Sequence, residues 1–428
     1  MKDNLILMAS AVLGGLLGYF FHFVVSRKLS VGEYGELQAI TSLLVIFAVF
    51  SSTLSFFIIK YSSILADHGD QRGQRHFIAF VFQKFRMPVV IFSFSYLAAM
   101  PILKNLLRLS DYWGLAAIGL SVIFLVFSSF YVNALQGWRN FLWVGIIGTL
   151  IPAAKLGAGF VLSYISPKAS AVSFAIFFSA FAGWLVARAC ARKFFERNSP
   201  GSQGGDWRMK YFSEESFRKS MLFILIFTAA LAVASNIDIL VVKNLTDAQT
   251  AGYYGAMSVL GKIILWLNLA VVGVLLPEAF SFGFLGHPVG IKTILSSYAL
   301  ICLVSFPTLV LYYFFPQLLV GALFGAKYLA VARSLWLFGL MATGLSVLTL
   351  EGKLALARRE GAVPYLLGIT IFILIFSVNF FHKNLEQIVI SVTVSFFWGW
   401  ILILAINLRH RFRFARESKF QLGKNDQI

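Results

Sequence analysis

Three ionisable residues lie where the surrounding sequence is apolar. Lys155 sits in "LIPAAKLGAGF", Lys262 in "SVLGKIILW" and Asp238 in "SNIDILVV". A charge at the centre of a bilayer costs roughly 2.5–3.5 kcal/mol on insertion scales. A residue of this kind therefore faces a cavity, a ligand or an opposite charge. Two embedded lysines against one aspartate favour an anionic partner over a cationic one. The bland alternative is structural: Lys262 paired with Asp238, and Lys155 paired with an acid on another helix. Asp238 is also a candidate to hold a coupling proton or cation.

Other residues extend this set. Ser258 and Trp266 stand one turn before and after Lys262, so the three are expected on one helix face. Asn236 lies about 200° around a helix from Asp238 and cannot share its neighbour squarely. His22, with Arg27 and Lys28 after it, closes the first apolar segment and is placed to line a mouth or to anchor at the interface. Lys60 closes the second. Glu278 after Pro277, and Glu351 in "TLEGKLALARRE", fall at later segment ends and read as gate salt bridges. Asn133 and Gln136, in "YVNALQGW", read as hydrogen-bonding glue between helices. The candidate substrate-binding residues are Lys155, Lys262, Ser258, Arg27 and Lys60. The candidate coupling-ion or gating residues are Asp238, Asn236, Glu278 and Glu351.

Catalytic chemistry finds little support. There is no phosphate-binding glycine loop followed by Lys-Ser/Thr, no nucleophile elbow and no dinucleotide fingerprint. Cys190 and Cys302 are the two cysteines, and the six histidines are scattered, so neither a disulfide framework nor a metal site follows. No cofactor is expected. A membrane-embedded polymerase or ligase would need a sizeable outer loop with paired carboxylates, and the loops here are short.

The elements that must position these residues are membrane helices. The chain is 59% hydrophobic and 13% charged over 428 residues, against about 45–50% and about 25% for soluble domains. Segments long enough to span fall near 5–26, 37–64, 87–107, 112–136, 140–165 and 170–190, then 219–243, 251–280, 293–316, 330–352, 363–381 and 386–408. The first, with an apolar run of about 20 residues, is longer than the about 7–15 of a signal peptide, and reads as a span. The fold class is thus all-α integral membrane, with about twelve transmembrane helices. The expected division is a six-helix lobe at 1–190, a linker at 191–218, a second six-helix lobe at 219–408 and a basic tail at 409–428.

Most of the 36 lysines and arginines fall in segments that share one side if the N-terminus is inside. The bias predicts cytoplasmic termini and accounts for the net charge of +18 without nucleic acid. "RHFIAFVFQKFR" reads as an interfacial amphipathic helix or as an extension of the third span. "RHRFRFARESKF" reads as a juxtamembrane segment lying on anionic membrane lipids.

One junction is written twice. "RKLSVGEYGELQAITSLL" (27–44) and "KNLTDAQTAGYYGAMSVL" (243–260) align with one gap, so that Gly35 falls on Gly252 and Ala39 on Ala256. A duplicated six-helix unit is a transporter signature. Halves related by an axis along the membrane normal place substrate sites near their interface.

Both stretches resemble the polysaccharide-flippase family, the oligosaccharide branch of a superfamily that also holds multidrug exporters and lipid II flippases. The residues that carry the resemblance are Asn236-x-Asp238, Ala251-Gly252-Tyr253-Tyr254, Lys262 and Pro277, together with the span count and the linker position. The resemblance implies two similar six-helix lobes around a central cavity. It implies a flippase, not an enzyme, that moves polyprenyl-pyrophosphate-linked oligosaccharide from the inner to the outer leaflet by alternating access, for O-antigen, capsule or exopolysaccharide. It further implies coupling to a proton or sodium gradient, a place in the inner (plasma) membrane, and a polymerase and glycosyltransferases of the same pathway as partners. A cation-coupled multidrug exporter of the same superfamily is the alternative, and a membrane polysaccharide polymerase or ligase the second.

Overall fold

The structure, a computed structural model, describes residues 2–197, 214–284, 291–357 and 360–425. Side chains at the margins of these stretches, including those of 270–284 and 410–425, lie outside the described residues. The linker between 198 and 213 is outside them as well.

Ten described helices are long and apolar enough to cross a membrane, and one bent pair makes an eleventh span. A further 37-residue helix, Ala248–Phe284, occupies the position of the eighth expected span. The twelve segments read from hydropathy therefore reappear as helices, in an all-α membrane architecture.

The chain divides into two compact units, Met1–Ala229 with Asp247–Gly252, and Ala230–Thr246 with Tyr253–Ile428. In the first, α1 (Lys2–Lys28) packs on α6 (Phe141–Ile165), and α6 on α7 (Ala169–Arg197). The helix α5 (Trp113–Gly137) packs on α7, α2 (Val31–Phe47), α3 (Val49–Asp67) and α4 (Gln71–Leu106). It is the most enclosed span of its unit, 56% buried over its apolar window. Its small and polar residues explain this. Ser121, Ser128 and Asn133 are buried, and Asn133 Nδ2 donates to Ser55 Oγ of α3 at 2.8 Å. Asn133 is thus the interhelical glue expected of it. Buried Gln74 donates to Ser62 Oγ at 2.9 Å and accepts from Trp138 Nε1 at 3.0 Å. One amide so ties the ends of α3, α4 and α5 together.

The helix α4 settles one open reading. "RHFIAFVFQKFR" is the opening stretch of a continuous 36-residue helix, capped by Asp70 Oδ1, which accepts from Gly73 N at 2.7 Å. It extends the third span and is not a separate helix.

The seventh expected span is bent. The helix α8 (Glu214–Ala234) and α9 (Ile237–Leu245) meet at 44°, where a straight helix over 219–243 was expected. The bend has a local cause. Ser235 Oγ donates to the Leu231 carbonyl at 2.7 Å, and Asn236 Nδ2 to the Ala232 carbonyl at 3.0 Å. Side chains that bond back to the preceding turn bend helices. Then come α10 (Ala248–Phe284), α11 (Ile291–Phe314), the short α12 (Pro316–Leu323), a 3₁₀ segment (Ala326–Ser334), α13 (Leu335–Ala357), α14 (Val363–Phe380) and α15 (Leu385–Asn425). The span that includes α13 is 72% buried over its window, and α13 packs on α11, α14 and α15. The fourth span is thus the enclosed one in both halves, as a duplication requires.

The duplicated junctions are tighter than loops. Only Leu29 and Ser30 separate α1 from α2, and only Thr246 and Asp247 separate α9 from α10. Each copy supplies an N-cap. Ser30 Oγ accepts from Glu33 N at 3.2 Å, and Asp247 Oδ2 from Gln249 N at 2.9 Å and Thr250 N at 3.0 Å. The first copy also fastens its neighbours: Glu33 Oε2 accepts from Ala169 N at 2.5 Å, and Glu36 Oε1 from Ser110 Oγ at 2.7 Å.

The turn Asp247–Gly252 belongs to the first unit because it approaches α2 at backbone distance. A Cβ on Gly35 would stand 2.7 Å from Gly252 N, and one on Gly252 would overlap the Val31 carbonyl. Only glycine permits this approach.

Candidate functional site

The described side chains form two charged clusters and one buried carboxylate network. The first cluster joins α1, α2 and α6. Lys155 projects from α6 with Nζ 4.5 Å from the centroid of the Phe21 ring. A cation over an aromatic face is attracted by the ring quadrupole. Gly159, one turn further along α6, lies directly against Phe21 and leaves the fully buried ring its place beneath the lysine. The neighbouring His22 accepts at Nδ1 from Gln38 Nε2 at 3.0 Å, with Tyr34 Oη at 3.2 Å. Tyr34 and Gln38 are buried on α2. His22 is therefore held within a hydrogen-bonded group instead of serving as a loose interfacial anchor. Among the described residues no carboxylate lies within ion-pair distance of Lys155, so the structural pairing considered for it is absent there.

The second cluster joins α9, α10 and α13. Asp238 is fully buried. Its Oδ2 accepts from Tyr254 Oη at 2.9 Å, and its Oδ1 stands 3.8 Å from Lys262 Nζ. Lys262 also donates to the Ser235 carbonyl at 2.9 Å, a group that the bend at Ser235–Asn236 leaves available. The ring of Tyr254 meets Phe338 of α13 edge-on at 5.2 Å. Lys262 and Asp238 thus stand within the ion-pair distance that the structural alternative anticipated.

The remaining expected residues are dispersed. Ser258 is buried with its hydroxyl unbonded, whereas Trp266 is 55% exposed, so the expected common face of Ser258, Lys262 and Trp266 runs from the interior to the surface. Asn236 spends its amide on the bend and not on Asp238. Arg27 and Lys60 are exposed, and Lys60 Nζ lies 5.6 Å from the Tyr61 ring. Glu278 lies in α10 with its side chain outside the described residues.

Glu351, expected in a gate salt bridge, has no ion-pair partner among the described residues. It is 1% exposed. Its Oε1 accepts from Tyr298 Oη at 2.6 Å, and its Oε2 accepts from Asn407 Nδ2.

Sequence reasoning missed Tyr254, Tyr298 and Asn407 as partners of these charges. Tyr254 had a signal, because Tyr254, Ser258 and Lys262 recur every fourth residue along one stripe. Tyr298 and Asn407 lie 53 and 56 positions from Glu351, and no local pattern marks them.

The family model described as "Polysaccharide biosynthesis protein" matches residues 1–283. No curated protein sequence matches the chain. Solved structures with the same fold include an inward-facing multidrug resistance transporter of the MATE family and MOP superfamily. It is 12% identical, with TM-score 0.64, and 97% of this chain and 99% of that one are covered. The lipid II flippase MurJ in an inward closed conformation is 13% identical, with TM-score 0.66 and coverage of 94% and 87%. The MATE multidrug transporter DinF-BH is 11% identical, with TM-score 0.67 and coverage of 95% for both chains. At these identities the likeness establishes the fold.

Proposed function

The chain belongs to the polysaccharide biosynthesis protein family, and from that premise we propose that it is a flippase for polyprenyl-pyrophosphate-linked oligosaccharide. It carries the sugar head from the inner to the outer leaflet by alternating access, while the prenyl tail stays in lipid. The observation that carries this reading is Lys155. It is a cation deep in an apolar helix, seated on an aromatic ring, with no acid partner among the described residues. A site of this kind offers its charge to an anion, and pyrophosphate supplies one. An exporter of cationic drugs would need the opposite sign, and the described buried acids are already engaged: Asp238 by Lys262 and Tyr254, Glu351 by Tyr298 and Asn407.

On this reading the protein resides in the inner (plasma) membrane with both termini cytoplasmic, and hands its product to a polymerase and glycosyltransferases. The basic bias of the expected inner loops supports that orientation.

The test uses a native host lacking the gene. Lipid-linked oligosaccharide is measured in its membranes beside its drug sensitivity. Complete units accumulating on the cytoplasmic side, with surface polymer lost and both defects corrected by wild type but not by Lys155→Ala, are expected. Normal lipid-linked sugars with heightened drug sensitivity would replace the flippase by the exporter.

A further inference from the structure

One end of the second unit has no part in the clusters above. There α11 gives way to the short α12, the 3₁₀ segment follows, and α13 begins. A cleft of about 590 Å³ opens among them, with Tyr313, Phe314, Gln317, Leu318, Arg333 and Trp336 in its lining. Small-molecule sites measure about 300–1,000 Å³. All of these residues belong to one compact unit.

The cleft lies at a membrane boundary. The span Ile294–Phe314 ends at it, and the span Ala326–Leu356 starts beside it. Its lining is mixed accordingly. Phe314 and Leu318 are each 68% exposed, as suits side chains that meet acyl chains. Arg333 and Gln317 are exposed and polar. The rings of Tyr313 and Trp336 meet edge-on, with centroids 6.3 Å apart. Such aromatic residues anchor helices at headgroup level. Anchoring alone calls for neither a cleft nor an arginine inside it.

The charge in the cleft is one-sided. No acid lines it, and among the described residues no carboxylate lies within ion-pair distance of Arg333. Glu386 reaches the residue after Arg333, where it accepts from Ser334 Oγ at 3.2 Å. Along α10, α11, α13 and α15, every side chain within roughly 30 Å of this end, at 1.5 Å per residue, is described. The lining also favours donors. The guanidinium and the indole N–H can only donate, and an arginine fork matches phosphate through two parallel N–H bonds. A neutral head group would leave that charge unanswered. A phosphate diester answers it, and the apolar rim receives the chains.

We propose that this cleft holds the phosphate of an anionic glycerophospholipid. Arg333 pairs with the phosphate, Gln317 and Trp336 border the glycerol, and the acyl chains run along Phe314 and Leu318. The orientation expected from the basic bias puts this lipid in the outer leaflet. The site needs only a membrane around the chain, so it stands apart from the cargo reading of Lys155.

The test is native mass spectrometry of the full-length protein, titrated with short-chain phosphatidylglycerol or phosphatidylcholine. Wild type should bind phosphatidylglycerol in preference to phosphatidylcholine. Arg333→Ala should weaken phosphatidylglycerol binding about tenfold or more, and Arg333→Lys by less. Equal phosphatidylglycerol binding by wild type and Arg333→Ala would overturn the proposal, as would equal binding of the two lipids by wild type. If Arg333→Ala fails to fold, Arg333→Gln decides on the same readout. Two competitors at equal concentration separate the sources of phosphate. Displacement by glycerol phosphate would make the cleft a free-phosphate site, and displacement by farnesyl pyrophosphate a cargo site; either overturns the lipid assignment, and resistance to both supports it.

Discussion

Lys262 Nζ stands 3.8 Å from Asp238 Oδ1 and has no need of cargo to be balanced. Breaking a buried pair leaves the surviving charge uncompensated, at a cost of about 3–5 kcal/mol, whereas removing both charges can be close to neutral. Lys262→Ala should therefore lower the thermal stability of the purified protein sharply. Asp238→Asn combined with Lys262→Met should recover most of that loss. If the double substitution is no better than the sum of the singles, the pair is not coupled.

Lys155 has the opposite character. Its replacement should leave stability nearly intact and remove affinity for an anionic head. A hydrogen bond to a charged group contributes about 1.5–3 kcal/mol, so Lys155→Ala should weaken prenyl pyrophosphate binding by roughly tenfold to more than a hundredfold. Lys155→Arg should keep part of it. Equal binding by wild type and Lys155→Ala in a calorimeter would refute the assignment.

The close approach of Gly35 to Gly252 allows a steric test. Overpacking a tight contact costs typically about 1–3 kcal/mol, and Gly35→Ala or Gly252→Ala should show it as a lowered melting temperature. Gly368 is the control, since a Cβ there meets nothing within 4 Å. In that helix alanine is favoured over glycine by about 1 kcal/mol, so Gly368→Ala should hold or raise stability. Equal behaviour of all three variants would contradict the contact.

Asp247 gives a pH signature outside the spans. Hydrogen bonds from Thr250, side chain first and then backbone, hold its carboxyl below the ordinary carboxylate value. The folded value is depressed, so the contribution is complete above the unfolded value of about 3.9 and fades as pH falls through the lower folded value. Asp247→Ala should lose the cap at neutral pH, at about 0.5–2 kcal/mol. Asp247→Asn should keep most of the cap and flatten the acid limb of a melting-temperature profile. Matching acid limbs for wild type and Asp247→Asn would show that this carboxylate contributes nothing there.

Span positions were legible because about 20 apolar residues per crossing is a demand of the bilayer itself. The duplicated junction was legible because its glycines and caps recur in order. What stayed hidden depends on contacts between distant helices. The pairing of Lys262 with Asp238 was one of two open readings, and its geometry depends on a bend that frees the Ser235 carbonyl to accept from Lys262. Ser258 and Trp266 share a helix stripe with Lys262, but burial changes along that stripe, and periodicity carries no depth. Glu351 reads as a gate residue from its basic neighbours in sequence; its described hydrogen-bond partners are a tyrosine and an asparagine from other helices, which no local pattern marks.

The contact between Gly35 and Gly252 is made without side chains. It therefore has nothing to titrate, nothing for salt to screen and nothing to oxidise. Its grip is the same in acid and in alkali, in fresh water and in brine. Each partner comes from one copy of the same repeated segment, so neither glycine can drift alone: a side chain gained in one copy presses on the other. The repeat is thus an heirloom that its own geometry protects at this point.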